Sequence, residues 1–563
     1  MTVQERIRSL TAMLGDPWDE HNPLGYAEVL RADERAEALA AGERMLDEFG
    51  FNAELVPRDG GGRFDRLDEF VELVRTVYRR DPALAVGYGV ASFLAGVNVW
   101  AGGDERQRRW FASLLLDNRK AACAYHELAH GNDLAAAELD AARSGDGLIL
   151  NGRKEVIANI GRADAVVVFA RTDPAAGNRG FSQLLVDRSA LDPARVTFLP
   201  RYGSAGLRGV RLGGIEFRDC PLPAASVLGR PGDGIPTALT SFQVSRIALP
   251  GMATAVLDSA LAVALRHLRG RTLYGKPAVD LPYQRRILVG AFTDLLMCEI
   301  VVMVAARAVH VLPGSASVYA AAVKLGVTRT LMAAVNELSV ALGSYFYLRE
   351  GPAGIFQKLL RDLQPLGLLH ASGAACQLTI LPQLPPMARR SWPAGEPAGE
   401  AAGEPAGENA PKELFTRDDG LPPLSFGALR MTAAGQDPLL GLAAADPAVP
   451  EIRAAAGSLA AEVRELTDAC AGLRPTALSV AASSETYDLT TRYARLLMLA
   501  CCQGVWRAHR DDGSFLGRPD WLIAVVTRLT AGELPRAVEQ RLYAELVRRA
   551  DGDHGFGLYP KEQ

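Results

Sequence analysis

AYHELAHGNDLAAAELDA at residues 124–141 and LILNGRKEVIANIGRADAVVVFART at 148–172 mark the point where the texture of this chain changes. From there, short apolar runs alternate with Gly, Pro and Asp turns: GLILNG (147–152), DAVVVFART (164–172), FSQLLVD (181–187) and GGIEFRD (213–219). Strand-length apolar runs bounded by turn residues predict a compact β domain over 119–232. Upstream, residues 1–118 read as a helical domain. ADERAEALAAGERMLDEFGF (32–51) is rich in helix formers and predicts one helix closed by a glycine. FVELVRTVYRRD and ALAVGYGVASFLAGVNVWAG predict two more.

Downstream of Pro236, helical texture returns and defines a bundle domain over 233–388. MATAVLDSALAVALRHL and YAAAVKLGVTRTLMAAVNELSVAL are apolar on nearly all sides, which predicts helices buried in a bundle or an oligomer interface. Residues 393–408 repeat PAGE, PAGE, AAGE, PAGE. Such sequence offers no apolar face, so 389–412 is expected to be a flexible linker. A C-terminal helical domain, 413–563, follows. Its Ile452, Ala456, Leu459, Val463, Leu466 and Cys470 recur at alternating spacings of four and three, a single apolar stripe. WLIAVVTRL follows Pro519, which is expected in the first turn of its helix. No catalytic constellation is visible there, and the expected role is packing.

Charge excludes some function classes. With 61 basic and 65 acidic residues the net charge is −4, which argues against coating nucleic acid and supplies no polybasic membrane anchor. The longest apolar helical stretch is read as Cys298 to Leu312, carrying Glu299 and Arg307, so no segment is expected to reach the ~20 apolar residues of a membrane span. MTVQERIRSL has no hydrophobic signal core, and the expectation is a cytoplasmic enzyme. Seven scattered cysteines without a CxxC or clustered histidines predict core residues, no disulfide framework and no metal.

Helix, then β, then helix is the order of the acyl-CoA dehydrogenase superfamily, and five local patterns carry that resemblance between 124 and 362. AYHELAHGNDLAAAELDA resembles the family's flavin loop, T-E-P-x-x-G-S-D. RKEVIAN within 148–172 is similar to K-x-W-I-T-N. GLRGVRLGGIEFRDCPLPAASVLG (206–229) resembles the glycine-rich strand and its F-x-x-x-x-V-P turn. RTLYGKPAVDLPYQ (271–284) resembles R-x-x-F-G-x-P-x-x-x-x-x-Q, and ALGSYFYLREGPAGIFQKLLRD (341–362) resembles G-G-x-G-Y…R-x-x-R-D. The resemblance implies an α+β, mostly α fold: N-terminal helical domain, central β-barrel domain and C-terminal helical bundle, here with an additional C-terminal helical domain.

By that resemblance the cofactor is FAD, bound in the family between β domain and bundle, and the assembly a homo-oligomer, dimer or tetramer. Tyr125, His126, Gly131 and Asn132 then line the flavin loop, and Val156 and Ala158 stand where Trp and Thr face the ring. Arg271 and Tyr274 reach pyrophosphate and adenine from a neighbouring subunit, and Gly343 and Ser344 approach the cofactor backbone. Arginine suits pyrophosphate through charge-assisted bonds, and glycine lets backbone N–H groups approach phosphate.

The departures concern the base. Family dehydrogenases abstract an α-proton with glutamate in a loop resembling Y-E-G-T-S; here LLHASGAACQ (368–377) puts His370 at that position. A minority place the glutamate in an earlier E-R pair, which here is Ser245-Arg246. Three readings stay open. His370, with an ordinary pKa near ~6.5, serves as base in acyl-CoA or acyl-carrier-protein dehydrogenation. Alternatively a β-keto acid loses CO2 and needs no base, with Arg246 and Ser245 binding its carboxylate. That resembles the epoxyketone synthases of natural-product biosynthesis, flavin-dependent decarboxylase–dehydrogenase–monooxygenases that use O2. The third reading is a non-catalytic paralogue or scaffold, against which Gly131, Asp133, Arg271 and the RD at 361–362 argue.

Overall fold

The computed structural model describes residues 1–369, 372–392, 410–417, 420–444, 449–552 and 555–558. The PAGE repeat and His370 lie outside the described residues. The chain divides into two units, Met1–Ser245 and Arg246–Gln563. The division falls inside the helix Gly234–Arg269 rather than at 232/233, because that helix is continuous and contributes residues to both units.

The first unit begins with helices closed by local chemistry. Thr2 accepts from the Glu5 N–H while Glu5 returns a bond to Thr2, and Asp104 and Gln107 do the same for Glu105–Leu116. The single helix expected over 32–51 is instead two, Tyr26–Glu34 and Ala40–Phe49, with Ala36 at φ 54° between them. Tertiary contacts explain the break: Arg208 donates to the Glu34 carbonyl at 3.0 Å and Arg201 to that of Ala36 at 2.7 Å. Propensity sums reported the helix formers and missed these acceptors.

The β domain is one curled seven-stranded sheet. Its strands are β1 (Ala121–Ala124), β2 (Asp140–Ser144), β3 (Gly147–Ala158), β4 (Ala165–Arg171), β5 (Phe181–Asp187), β6 (Val196–Leu199) and β7 (Leu212–Pro223). The order is β1-β4-β2-β3-β7-β6, with β5 on β4. β4 and β5 pair in register from Ala165↔Asp187 to Arg171↔Phe181, both buried almost throughout, as continuous apolar runs require. β3 and β7 pair along their length with register shifts at Leu150/Gly152 and Lys154/Ile157. Sequence patterning located β3, β4, β5 and β7 and missed β1, β2 and β6, which are only four or five residues long.

The second unit is built on the helices Pro282–Val311 and Ala316–Leu342, joined by Gly354–Leu363, Gly373–Ile380 and Leu384–Arg390. Four further helices, Pro450–Ala471, Ser484–His509, Asp520–Leu529 and Arg536–Asp551, pack against this core. Ile452, Leu459, Val463, Leu466 and Cys470 are buried, as the stripe requires. Pro519 sits just before Asp520–Leu529 rather than in its first turn. Arg528 donates to Asp294 at 2.6 Å, and Asp437 accepts from Tyr319, Tyr493 and Trp392 at 2.8, 3.1 and 3.0 Å. These bonds tie the C-terminal helices and the segment before them to the bundle.

The expectation about apolar length is corrected. Four helical spans, Pro82–Gly102, Gly234–Arg269, Pro282–Val311 and Ala316–Tyr347, are long and apolar enough to cross a membrane. Their apolar windows are 94, 94, 100 and 72% buried within the protein. The reading of the sequence broke these spans at isolated charges; Glu299 and Arg307 are instead buried within the helix.

Candidate active site

In the first unit the site grows from the loop after β1. Tyr125 donates to Asn98 Oδ1 at 2.6 Å, an oxygen that also accepts from Ser241 at 2.7 Å, and its ring packs on Phe169 and Phe242. Burial pushes its phenol well up, so Tyr125 is a fixed neutral wall. His126 Nδ1 lies 3.1 Å from the Glu155 carbonyl, and the Glu155 N–H donates back to the His126 carbonyl at 2.9 Å. The loop is thereby laced to β3 at its bulge, where Val156 holds φ 57° and stands half-buried beside Ala158. A β-branched residue in the left-handed region is strained, and it persists because its neighbours are fixed.

Those neighbours include a pair that the sequence reading passed over. Lys154, fully buried, donates to Glu127 at 2.7 Å and to the Tyr125 carbonyl at 3.1 Å. Glu127 also accepts the N–H groups of Glu138 and Leu139 at 2.8 and 3.1 Å. Burial works against the Glu127 carboxylate, and Lys154 with these N–H groups holds its pKa below the ordinary value. The signal was available, since the family's loop motif carries an E and its strand motif a K at these two positions. Glu127, His130 and Glu138 each bring a ligand atom within 4.8 Å of the others, but the Glu127 carboxylate already bonds Lys154 and two N–H groups. On the far side Asn159 donates to the Gly87 carbonyl at 2.6 Å, within a π-turn over Val86–Val90. Gly131 has φ 57° with open space where a Cβ would stand, and Asn132 is exposed.

In the second unit a cationic cluster forms around Arg271. Its guanidinium lies 5.3 Å from the Tyr345 ring, which also meets His267 at 4.8 Å. Gly343, at φ 60°, places its missing Cβ 4.0 Å from the same guanidinium, and Ser344 beside it is exposed. Burial, then the charge of Arg271, lowers the His267 pKa. The structure brings Arg271 and Gly343 together and leaves Tyr274 93% exposed at the tip of its hairpin.

The family's two base positions lie apart from that cluster in sequence. Ser245 is buried in Gly234–Arg269, and Arg246, 5% exposed, donates to Thr379 Oγ1 at 3.0 Å. Burial lowers the Arg246 pKa.

Two family models match: acyl-CoA dehydrogenase, middle domain, over 122–220, and acyl-CoA dehydrogenase, C-terminal domain, over 232–370. The chain belongs to the acyl-CoA dehydrogenase superfamily. It is 25% identical over 342 residues to the mitochondrial isobutyryl-CoA dehydrogenase of Dictyostelium discoideum, covering 61% of this chain and 80% of that protein. The human mitochondrial short-chain specific acyl-CoA dehydrogenase is 32% identical over 180 residues, 32% of this chain and 43% of that protein. Among solved structures, butyryl-CoA dehydrogenase from Megasphaera elsdenii superposes with a TM-score of 0.61 at 22% identity, over 68% of this chain and 97% of that one. The prolyl acyl carrier protein oxidase AnaB superposes with a TM-score of 0.60 at 19% identity, over 67% and 97%.

The superfamily is one of oxidoreductases whose cofactor is FAD, and the residues present fit it. Among the described residues no carboxylate pairs with Arg271, while His267 Nε2 and Gln284 Oε1 are buried without hydrogen-bond partners. A cation and two orphaned polar atoms suit a pyrophosphate and its polar ends better than a closed protein core. Arg271, Gly343 and Ser344 are the residues of the second unit that would hold it.

Proposed function

We propose that this flavoprotein oxidises a β-keto acid by decarboxylation and dehydrogenation, followed by monooxygenation to an α,β-epoxyketone, in natural-product biosynthesis. The observation that carries the reading is the buried Arg246: beside it stands Ser245 in place of a glutamate, and the family's other base position is His370. A buried cation beside Ser245 rather than a glutamate favours a substrate that brings its own carboxylate. Breaking the bond from α-carbon to carboxylate leaves its electron pair on the α-carbon and carbonyl as an enolate, so no protein base is needed. FAD, when bound, accepts the β-hydride, and once reduced it supplies the electrons with which O2 adds one oxygen atom to the enone and leaves the other as water. Arg246 orients the carboxylate, and within the first unit the small Val156 and Ala158 stand where the family has Trp and Thr.

The test supplies an α,α-disubstituted β-keto acid to the purified holoenzyme, in air and then without oxygen. Release of CO2 with an oxygen-dependent product one oxygen atom heavier than the enone is the expected result. A flavin that ignores the keto acid and is bleached by acyl thioesters overturns it. The names of the relatives favour that second reading, dehydrogenation of an acyl thioester on coenzyme A or a carrier protein with His370 or a displaced base.

A further inference from the structure

His267 stands in the last turn of Gly234–Arg269, four residues before Arg271. Its ring is half-buried, and its Nε2 is shut off from solvent without a hydrogen-bond partner among the described residues. An imidazole nitrogen that leaves water ordinarily finds a partner, because its hydration is otherwise forfeited for nothing. Here the neighbours are a ring and a cation. Tyr345 packs on His267 with centroids 4.8 Å apart, and the same Tyr345 ring lies 5.3 Å from the Arg271 guanidinium. One aromatic side chain thus meets both basic groups. Beside them Gly343 turns at φ 60°, and the Cβ it lacks would stand 4.0 Å from that guanidinium.

The charge that acts on His267 is positive. Arg271 faces it from just before the strand Thr272–Leu273, and Tyr345 from the turn Gly343–Tyr347. On its own helix Arg266 and Arg269 flank it in sequence, and Arg269 is paired with Asp551 at 2.9 Å. Burial first, then Arg271, lowers the His267 pKa below its ordinary 6.5, so the imidazole is neutral at neutral pH. The carbonyl end of the helix pulls the other way, toward the charged ring. A doubly charged pyrophosphate on Arg271 would tip that balance, cancelling the repulsion and giving an Nε2–H donor its acceptor.

We propose that His267 is a second pyrophosphate-binding group of the FAD site, taking up a proton as the cofactor seats and donating from Nε2 to a phosphate oxygen beside Arg271. The proton comes from solvent and returns there when FAD leaves. Below the pKa that His267 has with FAD bound, two cations hold the cofactor; above it only Arg271 does. Retention of FAD therefore weakens as pH rises through the histidine range. The inference rests on FAD alone and stands whichever substrate the enzyme oxidises.

The experiment dilutes the FAD holoenzyme at a series of pH values between about 5 and 8, the range of a histidine, and reads the fluorescence of released flavin. Circular dichroism on the same samples reports that the protein stays folded. In the native protein the FAD dissociation constant should rise with pH by about tenfold in all, the loss of a hydrogen bond to a charged group. His267→Gln should be about tenfold weaker at the acid end and flat with pH. His267→Arg, charged at every pH, should retain FAD tightly and also stay flat. Arg271→Gln should weaken retention at every pH and keep the rise. His267→Gln with native retention and native pH dependence overturns the proposal, and so does a native protein whose retention does not change with pH. Coenzyme A carries a pyrophosphate of its own and is titrated separately, by the heat of binding. If its affinity depends on His267 and on pH while FAD retention does not, the anion site serves that ligand and the proposal fails.

Discussion

Two buried lysines, one in each unit, have opposite surroundings. Lys154 meets the carboxylate of Glu127 at 2.7 Å and the Tyr125 carbonyl, and the pair braces the loop that would cradle the flavin. Lys324 meets a carbonyl and the repulsion of Arg246. A paired cation is a brace, since removing either partner strands the other. Lys154 is thus satisfied within its own unit, while Lys324 has no carboxylate partner among the described residues.

Breaking the first pair should have the largest effect. Glu127→Gln leaves Lys154 buried without its partner and is expected to cost about 3–5 kcal/mol, read as a lower denaturation midpoint. Lys324→Met should by contrast keep stability within about 1 kcal/mol of native or raise it, because an apolar isostere replaces an unpaired charge. Equal losses in the two variants would end the comparison. On the cofactor side, Arg271→Gln should weaken FAD retention by about tenfold or more, through loss of a charge-assisted bond of about 1.5–3 kcal/mol. Flavin fluorescence released on dilution measures it.

A pH series sharpens the contrast further. The folded Lys324 pKa, about 7, lies below the ordinary 10.5, so between these values the unfolded chain binds more protons. Stability contributed by this group therefore rises with pH across that window, by at most about 1.4 kcal/mol per unit. Denaturant midpoints should show that rise in the native protein and lack it in Lys324→Met. The smallest effect is expected at Val156, where Val156→Gly relieves the strain of φ 57° and gains about 1 kcal/mol by thermal melting.

Much of this was legible in the linear sequence. The alternation of apolar runs and turns located the four longer strands because each is seven or more residues long, enough for a run to stand out between its turns. RTLYGKP and GNDL marked Arg271 and Gly131 because each sits inside a motif whose spacing is local. The helix over 32–51 failed as a single element because the carbonyls that Arg201 and Arg208 capture are set by a distant strand connection. The pairing of Glu127 with Lys154 was written in the two motifs and went unread because each motif was taken alone.

The sequence by itself determined the superfamily, the order of its domains, the retained arginine of the cofactor motif and the absence of glutamate at 245 and 370. Those are statements of residue identity in local patterns, and a chain carries them unfolded. Only the tertiary structure decided that Lys324 stands beside Arg246 with no carboxylate partner among the described residues, and that Lys154 has one. It also decided that Ser484–His509, Asp520–Leu529 and Arg536–Asp551 pack onto Pro282–Val311, and that Pro450–Ala471 packs on Leu384–Arg390 and Ser484–His509. Periodicity reports which face of a helix is apolar and says nothing of what that face will meet. The partner of a buried charge is chosen by packing between segments far apart in sequence, and the charge's chemistry follows from that partner.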